Sequence, residues 1–186
     1  SATIVPGSIF KVVTANAALE TIDNIDDWSY YCTGSKQYGS YSKDRITCLS
    51  AHGNVDLEEA LADSCNCAFG ALAIEIGPEK LKEYTQMSGL MNSYDLQGIH
   101  TKESTFEFNN VDIDLAWTGI GQHKDLVNPC AMMVYMGAIG GDGQAAKPRL
   151  IEDIQFANGL PAGLPFKSGK TTLVNADTAE KLQSMM

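Results

Sequence analysis

The chain has 186 residues, 44% of them hydrophobic and 19% charged, which is enough to bury one sizeable core and too little for two independent domains. A disordered chain would be poorer in aliphatic residues and richer in charge. Lys and Arg total 13 against 23 Asp and Glu, a net charge of -10, so the field repels phosphate backbones and argues against nucleic acid as a partner.

Pro6 and Gly7 precede Ser8, after which Ile9, Phe10, Val12, Val13, Ala17 and Leu19 predict a helix that starts beside Ser8, ends near Glu20 and is buried on most sides. Trp28 to Gly53, with Tyr30, Tyr31, Tyr38 and Tyr41 among Ser, Gly and Lys, lacks helical periodicity and reads as a long loop or irregular hairpin. Asp56 with Glu59 three residues later forms a capping-box pattern for a helix to about Asp63. A second helix runs from Asn66 through Phe69, Leu72, Ala73 and Ile76 to Gly77, and Pro78 opens the next, which ends at Gly89. Met91 to Gly121, punctuated by Asn, Asp and Gly, is assigned mainly to loop. Pro129 to Ile139, closed by Gly140 and Gly141, is expected to be a fully buried helix whose three methionines serve packing. Leu150 to Phe156 alternates as a strand, Asn158 to Gly163 turns, and Asp177 to Met186 is helical.

No run of about 18 apolar residues and no signal-peptide pattern occurs. The chain begins a few residues before its most informative motif, so an anchor in a longer parent would leave no trace in it. The five cysteines include no C-x-x-C pair, so no metal site and no cofactor are expected. Cys32 and Cys48 are equally compatible with a bridge in an oxidising compartment and with two half-buried thiols.

Ser8 and Lys11 stand three apart at a helix start and project from one face. A serine hydroxyl is inert at neutral pH unless a neighbour takes its proton, which a lysine can do once burial lowers its pKa. Ser64-Cys65-Asn66 follows 53 residues beyond Lys11, at the junction of two predicted helices.

Pro6-Gly7-Ser8-Ile9-Phe10-Lys11 followed by Ser64-Cys65-Asn66 resembles the first two signatures of the penicillin-recognising serine acyl-transferases. Cys32-Thr33-Gly34, Cys48, His52-Gly53, Asp56 to Leu61, Gly121-Gln122, Pro129 and Pro148-Arg149-Leu150 extend the similarity toward class B penicillin-binding proteins over nearly the whole chain. The resemblance implies an α+β domain of which this chain is mostly the helical part. It also implies a D,D-transpeptidase on the extracytoplasmic side of the cell membrane, in a membrane-anchored parent. Its partners would be the peptidoglycan stem peptide and β-lactam antibiotics. In that scheme Ser8 is acylated, Lys11 takes its proton, Ser64 relays a proton to the leaving nitrogen, and Asn66 binds the acyl amide and holds Lys11.

The family's third motif is K-[ST]-G on a central strand. Lys167-Ser168-Gly169 has those letters, but the residues after it resemble the stretch that precedes the motif in the family, so the motif is expected beyond Met186 and the isolated chain is expected to be catalytically crippled. Gly169-Lys170-Thr171 is not a phosphate loop, because the pattern needs glycine where Leu164 stands. A Ser-His-Asp hydrolase is disfavoured by the lack of a G-x-S-x-G elbow, and His52 reads as structural. D,D-carboxypeptidases, β-lactamases and β-lactam sensors share the motif pair. A non-catalytic helical scaffold, self-associating through an exposed apolar face, is the alternative from another class.

Overall fold

The computed structural model describes residues 2–122, 124–151, 153–163 and 169–186. A 3-10 turn, Gly7–Phe10, runs into α1 (Lys11–Thr21). Val13, Ala15, Ala17 and Ala18 of α1 are fully buried, because the helix is wrapped by α2 (Leu57–Ala62), α3 (Asn66–Ile76), α4 (Pro78–Met87) and α7 (Ala176–Met185). A helix enclosed in this way has apolar side chains all round instead of one stripe.

The tyrosine-rich segment folds as two nested antiparallel ladders. β1 (Tyr30–Cys32) pairs with β4 (Gly53–Val55), with Cys32 opposite Gly53, and β2 (Ser35–Gln37) pairs with β3 (Arg45–Thr47). The expected hairpin is therefore present. Asp56 caps α2 as anticipated: its side chain accepts from the Glu59 N–H at 2.8 Å, and Glu59 accepts from the Asp56 N–H at 3.1 Å.

Three expectations need correction. Met91 to Gly121 is mainly loop, as expected, but it also holds β5 (Asp95–Leu96), β6 (Ile99–His100) and an unexpected helix, α5 (Asp112–Gly119). Only eight residues long, α5 carries too little local signal to announce itself, and it is packing on α3 that makes it. α6 (Pro129–Ile139) is helical but not fully buried: Met132 is inside while Met133 is 61% exposed. Leu150 to Phe156 forms no strand among the described residues. Only an isolated bridge, Gln155 to Pro161, occurs, and Leu150, Ile151, Ile154 and Phe156 are exposed. Alternation stabilises a strand only where one face is covered and a neighbour accepts its hydrogen bonds. The turn after it is present, with Gly159 N–H donating to the Phe156 carbonyl at 2.8 Å. β7 (Gln144–Ala146) pairs with β8 (Lys170–Thr172) ahead of α7. The architecture is α+β, helices with small antiparallel ladders at the margins. No helix among the described residues is long and apolar enough to cross a membrane.

Candidate active site

The segment before Ser8 is fastened from outside the helix. Ile4 bridges Val127, and Gly7, at φ +59°, donates its N–H to the Gly121 carbonyl at 2.7 Å. Ser8 is the second residue of the 3-10 turn, exposed at the surface, and Lys11, one turn on, is only 1% exposed. Ser64 comes from the turn between α2 and α3 and sits at φ +51°. A non-glycine residue in that left-handed region costs about 1 kcal/mol or more, and such strain persists only where the surroundings enforce it.

The structure brings all four expected residues together. Lys11 Nζ donates to Ser64 Oγ at 2.8 Å, to Asn66 Oδ1 at 2.7 Å, to the Ser64 carbonyl at 2.6 Å and, at 3.3 Å, to Ser8 Oγ. The Ser64 hydroxyl donates to Ser8 Oγ at 3.0 Å. The ammonium also lies 5.9 Å from the centre of the Phe69 ring. Burial pushes the Lys11 pKa down to about 8, with the neighbouring thiols Cys48, Cys65 and Cys67 pulling the other way. A lysine so placed can give up its proton near neutrality and then accept one from Ser8 directly or through Ser64. Asn66 is oriented from its other end, Nδ2 donating to the Thr47 carbonyl at 2.8 Å. That contact carries no sequence signal. Lys167 and Ser168 lie outside the described residues, and Gly169 is just before β8, its carbonyl accepting from Lys147 N–H at 3.1 Å.

Behind this site lies a cluster that the lack of a C-x-x-C pair had argued against. Cys32, Cys48, His52 and Cys65 bring their ligand atoms within 4.8 Å of one another. The expectation of no metal site rested on local spacing, whereas these residues come from the end of β1, the loop between β3 and β4, and the turn before α3. Cys32 and Cys48 sulfurs are 3.8 Å apart and Cys48 and Cys65 3.7 Å. Burial opposes ionisation of Cys32, but N–H donation from His52 and Gly34 outweighs it and brings the thiol down to about 6. Burial pushes Cys65 up to about 12.

A paired S-x-x-K and S-x-N on a helical core defines a class of serine acyl-transferases, and the chain belongs to the penicillin binding protein transpeptidase domain family, whose model matches residues 1–186. It is 29% identical over 170 residues to peptidoglycan D,D-transpeptidase PbpA of Mycolicibacterium smegmatis, covering 83% of this chain and 32% of that protein. The protein of the same name from Mycobacterium tuberculosis is 29% identical over 195 residues, covering all of this chain and 38% of its own length. The penicillin G acyl-enzyme complex of penicillin-binding protein A from M. tuberculosis superposes with a TM-score of 0.86 at 25% identity, over all of this chain and 43% of that one. The transpeptidase domain from Eggerthella lenta superposes at 0.83 with 24% identity, over all of this chain and 48% of that one. The chain thus spans 32% to 48% of the length of these relatives.

Proposed function

We propose that the protein is a peptidoglycan D,D-transpeptidase that works through an acyl-enzyme on Ser8 and is trapped there by β-lactams. The observation that carries this is the closed set of hydrogen bonds among Ser8, Lys11, Ser64 and Asn66. Lys11, as the free amine, takes the Ser8 proton while Oγ attacks the carbonyl of the penultimate D-alanine. The C–N bond breaks, and the leaving amine receives its proton from Lys11 by way of Ser64. An amine of a second stem peptide then attacks the ester, forming the cross-link and returning Ser8 to its hydroxyl form. Asn66 holds Lys11 and binds the acyl amide, and the backbone N–H of Ser8 supplies half of an oxyanion hole. With a β-lactam the broken amide is in the ring, so the leaving group stays tethered. The substrate places this chemistry on the extracytoplasmic side of the membrane, in a parent that carries an anchor. The acyl-enzyme structure of the M. tuberculosis relative supports the β-lactam step.

The test is intact-mass spectrometry of the purified protein after incubation with a penicillin, with Ser8→Ala as control. A mass increase of one penicillin that vanishes in the variant is expected. A folded protein that gains mass equally in the variant refutes Ser8 as nucleophile, whereas no gain in either protein means that the acylation site is incomplete without the K-[ST]-G motif expected beyond Met186.

A further inference from the structure

Cys32, Cys48, His52 and Cys65 lie beside the acylation site without being part of it. Two sulfur pairs stand 3.8 and 3.7 Å apart. A tetrahedral ion with zinc–sulfur bonds of about 2.3 Å would set its sulfurs about 3.8 Å apart. Two thiols in simple contact reach a similar distance, so spacing alone does not decide.

Three further features do. The fourth member is an imidazole, and its Nδ1 is buried with no hydrogen-bond partner. A buried lone pair left unmet is costly, and a metal ion satisfies it. Backbone N–H groups also reach each of the three sulfurs: Gly34 donates to Cys32, Cys67 to Cys48 and Ala68 to Cys65, all at 3.4 Å. Such donors suit thiolates, and outer contacts of this kind orient metal ligands and tune them. Finally, a disulfide would use two of the three sulfurs and leave the third, with the unmet imidazole nitrogen, unexplained.

We propose that these four residues form a closed Cys3His zinc site that clamps the Ser64-Cys65-Asn66 turn. Soft thiolates with one imidazole in tetrahedral array select zinc, and four protein ligands leave no position for substrate, so the ion is structural. Binding releases the thiol protons to solvent. Cys65 stands between Ser64, held at φ +51°, and Asn66, whose amide reaches the Thr47 carbonyl next to Cys48. One ion therefore ties the strained turn to β1 and to the loop that carries Cys48 and His52.

Zinc content of protein purified without chelator, read by elemental analysis and native mass, is expected to be one ion per chain. Cys67→Ser and Cys130→Ser keep it, since Cys67 turns instead toward the Ile46 carbonyl at 3.8 Å and Cys130 lies on α6. Cys65→Ser and His52→Ala lose it. Because a ligand variant that unfolds would also lose zinc, the parent itself is stripped with a chelator and refilled with cobalt(II). Thiolate-to-cobalt charge transfer and tetrahedral ligand-field absorption should then appear. Amide exchange over Asp63 to Ala68 should accelerate on stripping and recover with zinc. A reduced, folded parent that binds neither ion, or a metal-free chain two hydrogens lighter through a disulfide among these thiols, overturns the site. Exchange in the turn unchanged by stripping overturns the clamp. None of these readouts uses acylation, so they stand or fall apart from the assignment of Ser8.

Discussion

Replacing Gly121 by alanine tests whether the approach of two backbones fixes the nucleophile. Gly121 has φ +69°, and a Cβ there would lie 2.2 Å from the Gly7 carbonyl oxygen and 2.6 Å from Phe10 Cβ. The left-handed conformation costs an alanine about 1 kcal/mol, and forcing a methyl into a packed site adds about 1–3 kcal/mol. The obstacle is backbone and cannot rotate away, so about 2–4 kcal/mol should be lost, or about 5–15 °C in Tm for a chain of this size. Relief requires moving Gly7, and with it Ser8, whose Oγ is 3.0 Å from the Ser64 hydroxyl. A displacement near 1 Å at a reacting atom costs about 100-fold in rate, so penicillin labelling measured well below the melt should slow by about that factor. Gly137 is the control. It lies on the exposed side of α6 with nothing within 4 Å of an added Cβ, and alanine there should stabilise by about 0.5–1 kcal/mol. A Gly121→Ala protein that melts and labels like the parent would refute the reasoning.

Lys11→Met, which keeps the length and removes the base, should slow acylation by about 10²–10⁴-fold while leaving the circular dichroism spectrum and melt of a folded chain, as followed by time-resolved labelling with a fluorescent penicillin. Asp56→Ala removes the side-chain acceptor of the Glu59 N–H and leaves the backbone N–H that donates to Glu59; losing that cap should cost about 1 kcal/mol, read as a lower melting temperature. Asp125 is fully buried, and its carboxylate oxygens have no hydrogen-bond partner; burial pushes its pKa from 3.8 up to about 8. Between those values the native state holds a proton that the unfolded state has lost, so this group makes stability fall as pH rises through that window and level off above it. Asp125→Asn should therefore gain in Tm over the parent as pH is raised from 5 to about 8.5, and an advantage that shrinks with rising pH would contradict the burial.

Local chemistry made much of the helical framework legible. The Asp56 and Glu59 cap, the Gly77-Pro78 break and the Pro129 start each act through their own backbone neighbours, so they read the same in sequence and in structure. The motif pair was visible too, because Ser8 and Lys11 are one turn apart on a single helix. What tertiary structure alone decided is everything that depends on distant chain meeting. Burial lowers the Lys11 pKa only because α1 is enclosed, and the amine meets Ser64 and Asn66 only because they arrive from more than fifty residues away. The helix at Asp112 exists because α3 offers it a surface, and the alternating Leu150 to Phe156 stays exposed because no described neighbour covers it. The four ligands behind the active site show the difference most clearly. Spacing along the chain measures local proximity, whereas strand pairing and a helix cap set the distances between Cys32, Cys48, His52 and Cys65.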